Sequence, residues 1–273
     1  MALPHNAVDL PFSYLDEKSY WKAFTYQKRF TADPLWEGQD VSLIFDGVMD
    51  MYREPKFAAY VYASQCDPEE DVVLKPVTYW TRGERNHGGV LPLIILTNCD
   101  EIELDFDGFP PRRFHPDRAA YPNLPHAPVI IRREDYPGPE FGHWGMGWQN
   151  VAFTGYIDGK AMKTVRYVAD PLPQTLSVTP DSERIANGGF VRVMIRVLDQ
   201  VGNTLPFLFE PVSVGVEGPA RLAGPSLFSL KGGVAGFWLV ATGEGKVSVT
   251  VSADALGETS ISLEAVAVSV SSV

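Results

Sequence analysis

Short segments in which apolar and polar residues alternate recur through the second half of the chain. In the clearest of them, 191–197, every second residue is Val or Ile, and Arg192, Met194 and Arg196 stand between them. Such alternation is typical of a β-strand with one buried face. Strands are predicted in this way at 176–178, 191–198, 212–216, 227–230, 235–240, 247–251 and 261–268. About seven strands in about 100 residues indicate an immunoglobulin-like β-sandwich.

A second group of strand patterns lies earlier in the chain. The run 93–96 is apolar throughout, which predicts a strand covered on both faces. In 101–107 apolar and acidic residues alternate, which predicts a half-buried strand with an acidic outer face. The dipeptide Asp158-Gly159, between apolar runs at 151–157 and 161–168, is a strong signal for a β-hairpin. These patterns predict another β-sandwich.

Two stretches give weaker signals. Residues 1–46 are rich in aromatic residues, but their apolar positions follow neither the two-residue period of a strand nor the 3.6-residue period of a helix. Little regular structure is therefore expected there beyond one strand at 20–25. The stretch 110–139 is rich in proline, which predicts a long surface loop with one edge strand at 129–131.

One segment predicts a helix. Residues 57–63 are apolar or aromatic at every position, Lys56 and Ser64 flank them, and Pro55 suits the start of a helix. A helix that is apolar all round needs partners on several sides. The rest of the chain predicts no second helical layer, so these partners are missing from the sequence.

Composition excludes several classes of function. The chain has 273 residues and a net charge of −11, and its isoelectric point is about 4.9, which argues against nucleic acid and anionic membranes as partners. No apolar run approaches the roughly 20 residues of a membrane span, and residues 1–9 do not resemble a signal peptide. No pattern calls for a cofactor. Cys66 and Cys99 are predicted to be free thiols, one of them buried.

The helical segment also carries a resemblance. The run 47–65, Gly-Val-Met-Asp-Met-Tyr-Arg-Glu-Pro-Lys-Phe-Ala-Ala-Tyr-Val-Tyr-Ala-Ser-Gln, resembles the end of the catalytic barrel in family 2 glycoside hydrolases, the β-galactosidase group. In that family the segment follows the last barrel strand and forms the last barrel helix. We call residues 47–65 the barrel-end segment. The resemblance explains why a helix that needs partners has none in this chain.

The resemblance extends to the β regions and implies three parts. Residues 96–104, Leu-Thr-Asn-Cys-Asp-Glu-Ile-Glu-Leu, resemble a hairpin in the immunoglobulin-like domain that follows the barrel, and the stretch from 174 onward resembles bacterial immunoglobulin-like domains. The implied division is a barrel remnant at 1–66 and two immunoglobulin-like sandwiches at 67–170 and 171–273. The implied partner is the rest of a parent glycosidase.

The residues for catalysis are absent from the sequence. Family 2 enzymes are retaining glycosidases, and this chemistry needs two carboxyl groups roughly 5–5.5 Å apart. The family places its acid/base in an Asn-Glu pair, which this sequence lacks, and its nucleophile upstream of the barrel-end segment. Glu140, in Pro-Glu-Phe-Gly, resembles the short nucleophile motif but follows the barrel-end segment, so a surface loop is predicted instead. No catalytic residue is predicted.

The binding candidates are few. Trp144 and Trp148, set among glycines, are the candidates for stacking on a sugar ring, and packing in a sandwich core or between domains is the alternative. The acidic residues of 101–107 are interpreted as a solvated outer face rather than a calcium site. Histidine spacing indicates no metal site. Asp50 and Arg53 are expected to shape the entry to the helix, with the rim of a sugar site as the alternative.

Two functions remain open at this stage. In the first, the chain is the non-catalytic C-terminal region of a β-galactosidase-like enzyme, where it supports the catalytic barrel. In the second, it is a free-standing carbohydrate-binding or adhesin-like module with two sandwiches. The apolar helix favours the first function, because a sandwich module does not need it. An exposed apolar helix also predicts self-association into a homo-oligomer.

Overall fold

The computed structural model describes residues 49–50, 52–80, 90–136 and 149–267, and all of them belong to one unit, Phe45–Val273. These residues form one α-helix, α1 (Phe57–Ala63), sixteen strands and a 3₁₀ turn at Arg133–Asp135. The helix has the predicted bounds. No helix in the described ranges is long and apolar enough to cross a membrane.

The first β-sandwich is made of seven strands. They are β1 (Leu74–Pro76), β2 (Leu93–Thr97), β3 (Glu101–Phe106), β4 (Arg112–Phe114), β5 (Val129–Ile131), β6 (Val151–Ile157) and β7 (Lys160–Tyr167). One sheet has the order β1-β2-β5 and the other β4-β3-β6-β7, with antiparallel pairing throughout. Strand β5 is an edge strand, as predicted.

The core of this sandwich is built around Trp80, whose side chain is fully buried. Its ring lies 5.9 Å from that of Phe106 and 6.4 Å from that of Phe153, both edge to face. The indole Nε1–H donates to the carbonyl oxygen of Gln149 at 3.0 Å, so the polar edge of the ring is satisfied inside the core. The sequence pattern did not single out Trp80, because no strand alternation surrounds it.

Two local predictions for this sandwich are confirmed. Strand β3 alternates as expected, with Ile102, Leu104 and Phe106 buried between exposed or half-buried acidic residues. Asp158 and Gly159 join β6 to β7 with φ values of 50° and 74°. Two consecutive positive φ values are the geometry of the tight hairpin turn that this dipeptide favours.

The predicted hairpin at 96–104 is wrong. Strands β2 and β3 are consecutive, but they lie in different sheets, β2 between β1 and β5 and β3 between β4 and β6. The physical reason lies in the connection, where the Asn98 side chain bonds to the segment before β1 rather than to β3. The Asn98 Oδ1 accepts from the Val73 N–H at 2.8 Å, and its Nδ2 donates to the carbonyl oxygens of Asp71 at 2.8 Å and Cys66 at 3.2 Å.

The second β-sandwich is made of nine strands. They are β8 (Thr175–Pro180), β9 (Arg184–Ala186), β10 (Phe190–Leu198), β11 (Pro211–Glu217), β12 (Ala220–Leu222), β13 (Leu227–Ser229), β14 (Val234–Ala241), β15 (Gly245–Ala253) and β16 (Gly257–Val266). One sheet has the order β12-β14-β10-β8 and the other β13-β11-β15-β16-β9, with β9 parallel to β16.

All seven strands predicted for this region are present. The strands that sequence patterns missed, here and in the first sandwich, are three residues long: β1, β4, β9 and β12. Three residues are too few to establish an alternation, so only pairing with a longer neighbour makes them strands. The two cysteines are free and Cys99 is buried, as predicted.

One residue of β10 departs from the predicted alternation. Met194 was expected to face outward with Arg192 and Arg196, but its side chain is only 1% exposed. The ring of Tyr52, in the barrel-end segment, packs against the second sandwich core and lies beside Met194 at Gly236. A segment distant in sequence therefore covers a face that local alternation assigns to solvent.

We expect Asn98→Ala to lower the free energy of unfolding by about 2–3 kcal/mol, because the buried Val73 N–H and the Cys66 carbonyl oxygen lose their Asn98 partner and the Asp71 carbonyl oxygen keeps only the Cys66 thiol. Urea denaturation followed by tryptophan fluorescence would measure the change. Asn123→Ala, at an exposed turn of the same sandwich, is the matched control and should change stability by no more than about 0.5 kcal/mol. Equal urea midpoints for the two variants would contradict the role given to Asn98.

Candidate functional site

The described part of the barrel-end segment begins with a tight turn around Asp50. The Asp50 Oδ1 accepts from the backbone N–H groups of Tyr52 and Glu54, each at 2.8 Å, and the Asp50 N–H donates to the Glu54 carbonyl oxygen at 2.9 Å. Arg53 lies in this turn with a φ of 67°, a value that is uncommon for residues other than glycine. Asp50 therefore fixes the chain just before the helix, in agreement with the expectation that it shapes the helix entry.

The second sandwich binds this turn through two arginines of β10. Arg196 makes two hydrogen bonds to the Glu54 carboxylate, Nε at 3.0 Å and Nη2 at 2.5 Å. Arg192 donates from Nη1 to the carbonyl oxygen of Tyr52. A forked pair of this kind is more specific than a single ion pair because both ends are fixed in direction. The turn is thus attached to the outer face of the β10 sheet.

The first sandwich binds the helix that follows. The Lys75 ammonium, on β1, lies 5.4 Å from the ring centroid of Phe57 and 5.2 Å from that of Tyr60. The Phe57 ring in turn lies 4.9 Å from Tyr79, which lies 6.5 Å from Phe207 of the second sandwich. Cation–π and aromatic contacts at these distances stabilise the helix on its support. The helix therefore lies where the two sandwiches meet.

The end of the segment is held by reciprocal amide hydrogen bonds. The Gln65 Nε2 donates to the His126 carbonyl oxygen at 2.9 Å, and the Gln65 Oε1 accepts from the His126 N–H at 3.0 Å. The next residue, Cys66, accepts from Asn98 through its carbonyl oxygen. The segment is consequently attached before, along and after the helix.

Burial at these contacts changes three pKa values. Burial lowers the pKa of the Lys75 ammonium, because the charged form loses water. Burial, and then the negative charge of Glu54, raises the pKa of the Tyr60 phenol. Burial, and then Asp50, raises the pKa of the Tyr52 phenol. All three groups lie where the barrel-end segment meets the sandwiches, so the shifts reflect packing of that segment.

The helix nevertheless keeps an apolar exposed side. No residue of α1 is buried, and Val61 and Tyr62 are 43% and 60% exposed. Tyr79 and Phe207, which extend the aromatic contacts of the helix, are 52% and 66% exposed. Exposed apolar groups gathered on one element mark an interaction surface more often than scattered single residues do. This surface is the candidate functional site.

The other residues that the sequence suggested as site candidates either lie outside the described residues or belong to a different surface. Trp144, Trp148 and Glu140 lie outside the described residues. Glu101 and Glu103 lie on the outer face of β3, where Arg113 pairs with both, at 2.9 and 3.0 Å. Within the described ranges no three His, Cys, Asp or Glu side chains are grouped so that they could hold a metal ion.

Sequence reasoning missed the residues that receive the barrel-end segment. Lys75, Arg192 and Arg196 belong to β-strands and carry no motif, so their partners could be found only in three dimensions. The local sequence gives no signal for the arginines, because arginine is an ordinary residue on a strand face exposed to water.

No protein-family model matches the sequence. Several curated relatives are named β-galactosidase. The protein from Rhizobium meliloti is 54% identical over 181 residues, 66% of this chain and 24% of that protein. The protein from Thermoanaerobacterium thermosulfurigenes is 40% identical over 230 residues, 81% of this chain and 31% of that protein. The sequence from Rhizobium radiobacter is 44% identical over 107 residues, 38% of this chain and 78% of that sequence.

Solved structures show the same fold. A β-glycosidase from Bacteroides vulgatus matches 80% of this chain with a TM-score of 0.60 and 20% identity, over 27% of its own length. A glycosyl hydrolase family 2 member from Bacteroides cellulosilyticus matches 79% of this chain with a TM-score of 0.56 and 15% identity, over 31% of its length. The chain thus spans a quarter to a third of the first two relatives and of these structures. The chain belongs to the family 2 glycoside hydrolases of the β-galactosidase group, and it corresponds to the C-terminal part of such an enzyme.

Proposed function

We propose that this chain is the non-catalytic C-terminal region of a retaining β-galactosidase-like enzyme and supports its catalytic barrel. The parent enzyme would hydrolyse terminal β-galactosides. The observation that carries the proposal is the helix α1, which is apolar at every position and yet has no buried residue. A barrel packed on this helix would bury its exposed side.

The way the helix is attached supports the proposal that this region holds the catalytic barrel in position. The segment is held to both sandwiches by Lys75, by Gln65 and by the Asp50 turn. The side chains of Val61 and Tyr62 remain exposed. A helix that is already positioned loses little conformational freedom when a partner packs against it. The sandwiches would therefore present the last barrel helix to the rest of the barrel in a fixed orientation.

The domain division proposed for this function has three parts. Residues 1–66 are the C-terminal remnant of the barrel, 67–170 are the first immunoglobulin-like domain and 171–273 are the second. Two separate hydrophobic clusters, one from Leu74 to Tyr167 and one from Leu176 to Ala265, support the division at 170/171. The partner of this region is the rest of the glycosidase. Self-association through the exposed helix stays a prediction.

Catalysis is assigned to the parent enzyme and not to this region. The sequence has no Asn-Glu pair, and Glu140 follows the barrel-end segment, whereas the family nucleophile precedes it. The free-standing carbohydrate-binding or adhesin-like module is the alternative. No side chain in the described ranges favours it, and it leaves the apolar helix without a purpose.

A chimeric enzyme tests the supporting role. Residues 49–273 of this chain would replace the corresponding part of the Rhizobium meliloti β-galactosidase, and hydrolysis of an aryl β-galactoside would be measured. We expect an active chimera, whereas the isolated chain should not hydrolyse the substrate. Val61→Asp in the chimera should reduce activity at least tenfold, because an unpaired charge would be buried at the barrel contact.

The matched control for that chimera is Met162→Asp. Met162 lies on β7 and is 46% exposed, close to the 43% of Val61, but it is outside the barrel-end segment. This variant should stay active. Equal activities for the Val61 and Met162 variants would contradict docking through α1. Hydrolysis by the isolated chain that is abolished by Glu140→Gln would contradict the non-catalytic assignment.

A further part of the proposal is that Trp144 and Trp148 stack on a sugar ring. If these side chains contact a galactoside, calorimetry with the wild-type chain should detect binding, and Trp144→Ala or Trp148→Ala should weaken it about tenfold or more. Phe190→Ala, which removes a 74% exposed aromatic ring from β10, is the control and should leave binding unchanged. Absence of binding by the wild-type chain would leave these tryptophans with a packing role.

A further inference from the structure

The outer face of β10 belongs to the second sandwich, and its central part at positions 192–196 is shielded from water although Phe190 on the same face is exposed. The inward side chains of this strand, Val191, Val193, Ile195 and Val197, lie in the sandwich core. On the outward side Met194 is 1% exposed, and the side chains of Arg192 and Arg196 are 16% and 26% exposed. A solvent-facing sheet surface would leave such long side chains far more exposed. Some element therefore covers this face.

The covering element is the turn 50–54. Its three contacts with the sheet are different in kind. Arg192 recognises a main-chain carbonyl oxygen, that of Tyr52, and Arg196 recognises a carboxylate, that of Glu54. The Tyr52 ring packs against the hydrophobic core of the second sandwich.

Residues outside the turn also organise this face. Arg192 is oriented from the side by Asp181, whose carboxylate accepts from its Nε at 3.0 Å and its Nη2 at 2.9 Å, which leaves Nη1 for the turn. Gly236, on the neighbouring strand β14, provides the space for the aromatic ring. A Cβ at that position would come within 3.2 Å of Tyr52 Cδ1 and 3.1 Å of Met194 Sδ, tighter than ordinary contact.

We propose that this face of the second sandwich, formed by Arg192, Met194, Arg196 and Gly236, is a receptor for the turn 50–54 and thereby positions the catalytic barrel. The inference rests on the proposed function, because the turn lies between the last barrel strand and the last barrel helix only in a parent enzyme of this family. The second sandwich, although it is the more distant domain along the chain, then acts directly on the barrel end. Arg192 and Arg196 are positioning residues, not catalytic ones.

Hydrogen exchange of the purified chain tests the contact without any barrel. The backbone N–H groups of Asp50, Tyr52, Arg53 and Glu54 are all hydrogen-bonded within the turn. We expect Arg196→Met to accelerate exchange of this peptide at least tenfold, because the turn loses its ion pair, while Arg196→Lys should restore part of the protection. Gly236→Val should have the same effect as Arg196→Met by displacing the Tyr52 ring.

Gly215→Val is the matched control. Gly215 lies within β11 in the other sheet, and a Cβ there would meet only the Thr250 carbonyl oxygen, at 3.9 Å. Exchange of the turn should be unchanged in this variant. Unchanged exchange in Arg196→Met would show that Asp50 alone holds the turn, and would overturn the proposal even if Gly236→Val failed to fold.

The chimeric β-galactosidase tests the consequence for the barrel. There Arg196→Met should lower kcat severalfold while the melting temperature of the enzyme changes little, and Gly215→Val should change neither. An Arg196→Met chimera with a loosened turn and full kcat would overturn the positioning role. An inactive unsubstituted chimera would instead count against the proposed function, and the exchange experiment on the isolated chain would still decide whether the receptor face binds the turn.

Discussion

The attachment of one short apolar helix to two β-sandwiches is the constraint on which the rest of this structure depends. The helix α1 has only seven residues, which is too short to be stable alone in water, so its conformation comes from its contacts. Those contacts come from both domains. Arg192 and Arg196 hold the turn before the helix, Lys75 lies against its aromatic residues, and Gln65 pairs with His126 after it.

The contacts differ in strength for a physical reason. An exposed ion pair contributes little because water screens it and two flexible side chains must be ordered. The pair between Arg196 and Glu54 has two hydrogen bonds and only about a quarter of each side chain exposed, and Arg192 is held by Asp181 as well as by the turn. Asn98 has a comparable role in the first sandwich, where one buried amide satisfies three backbone groups of the segment 66–73. Directional polar contacts thus set the position of the segment, while the two apolar cores supply the stability of the domains.

These contacts account for the supporting role proposed for this region. The apolar side of α1 stays exposed because the sandwiches contact the helix through its margins and through Phe57 and Tyr60. In the proposed parent enzyme that side would complete a barrel whose remaining elements lie upstream. The relatives named β-galactosidase, of which this chain covers a quarter to a third, are consistent with such a context.

Much of the fold could be predicted from the sequence because it follows from local periodicity. The helix bounds, the strands β2, β3, β6 and β10 and the hairpin turn at Asp158-Gly159 all depend on residues a few positions apart. The tertiary structure alone decided three things: that β2 and β3 separate into different sheets, that Trp80 lies in the core of the first sandwich, and that Met194 is buried beneath the turn 50–54. Each of these depends on a partner far away in sequence, 140 positions away for Tyr52 and Arg192. Local pattern decides which face of a strand is apolar, but only the assembled chain decides what covers the other face.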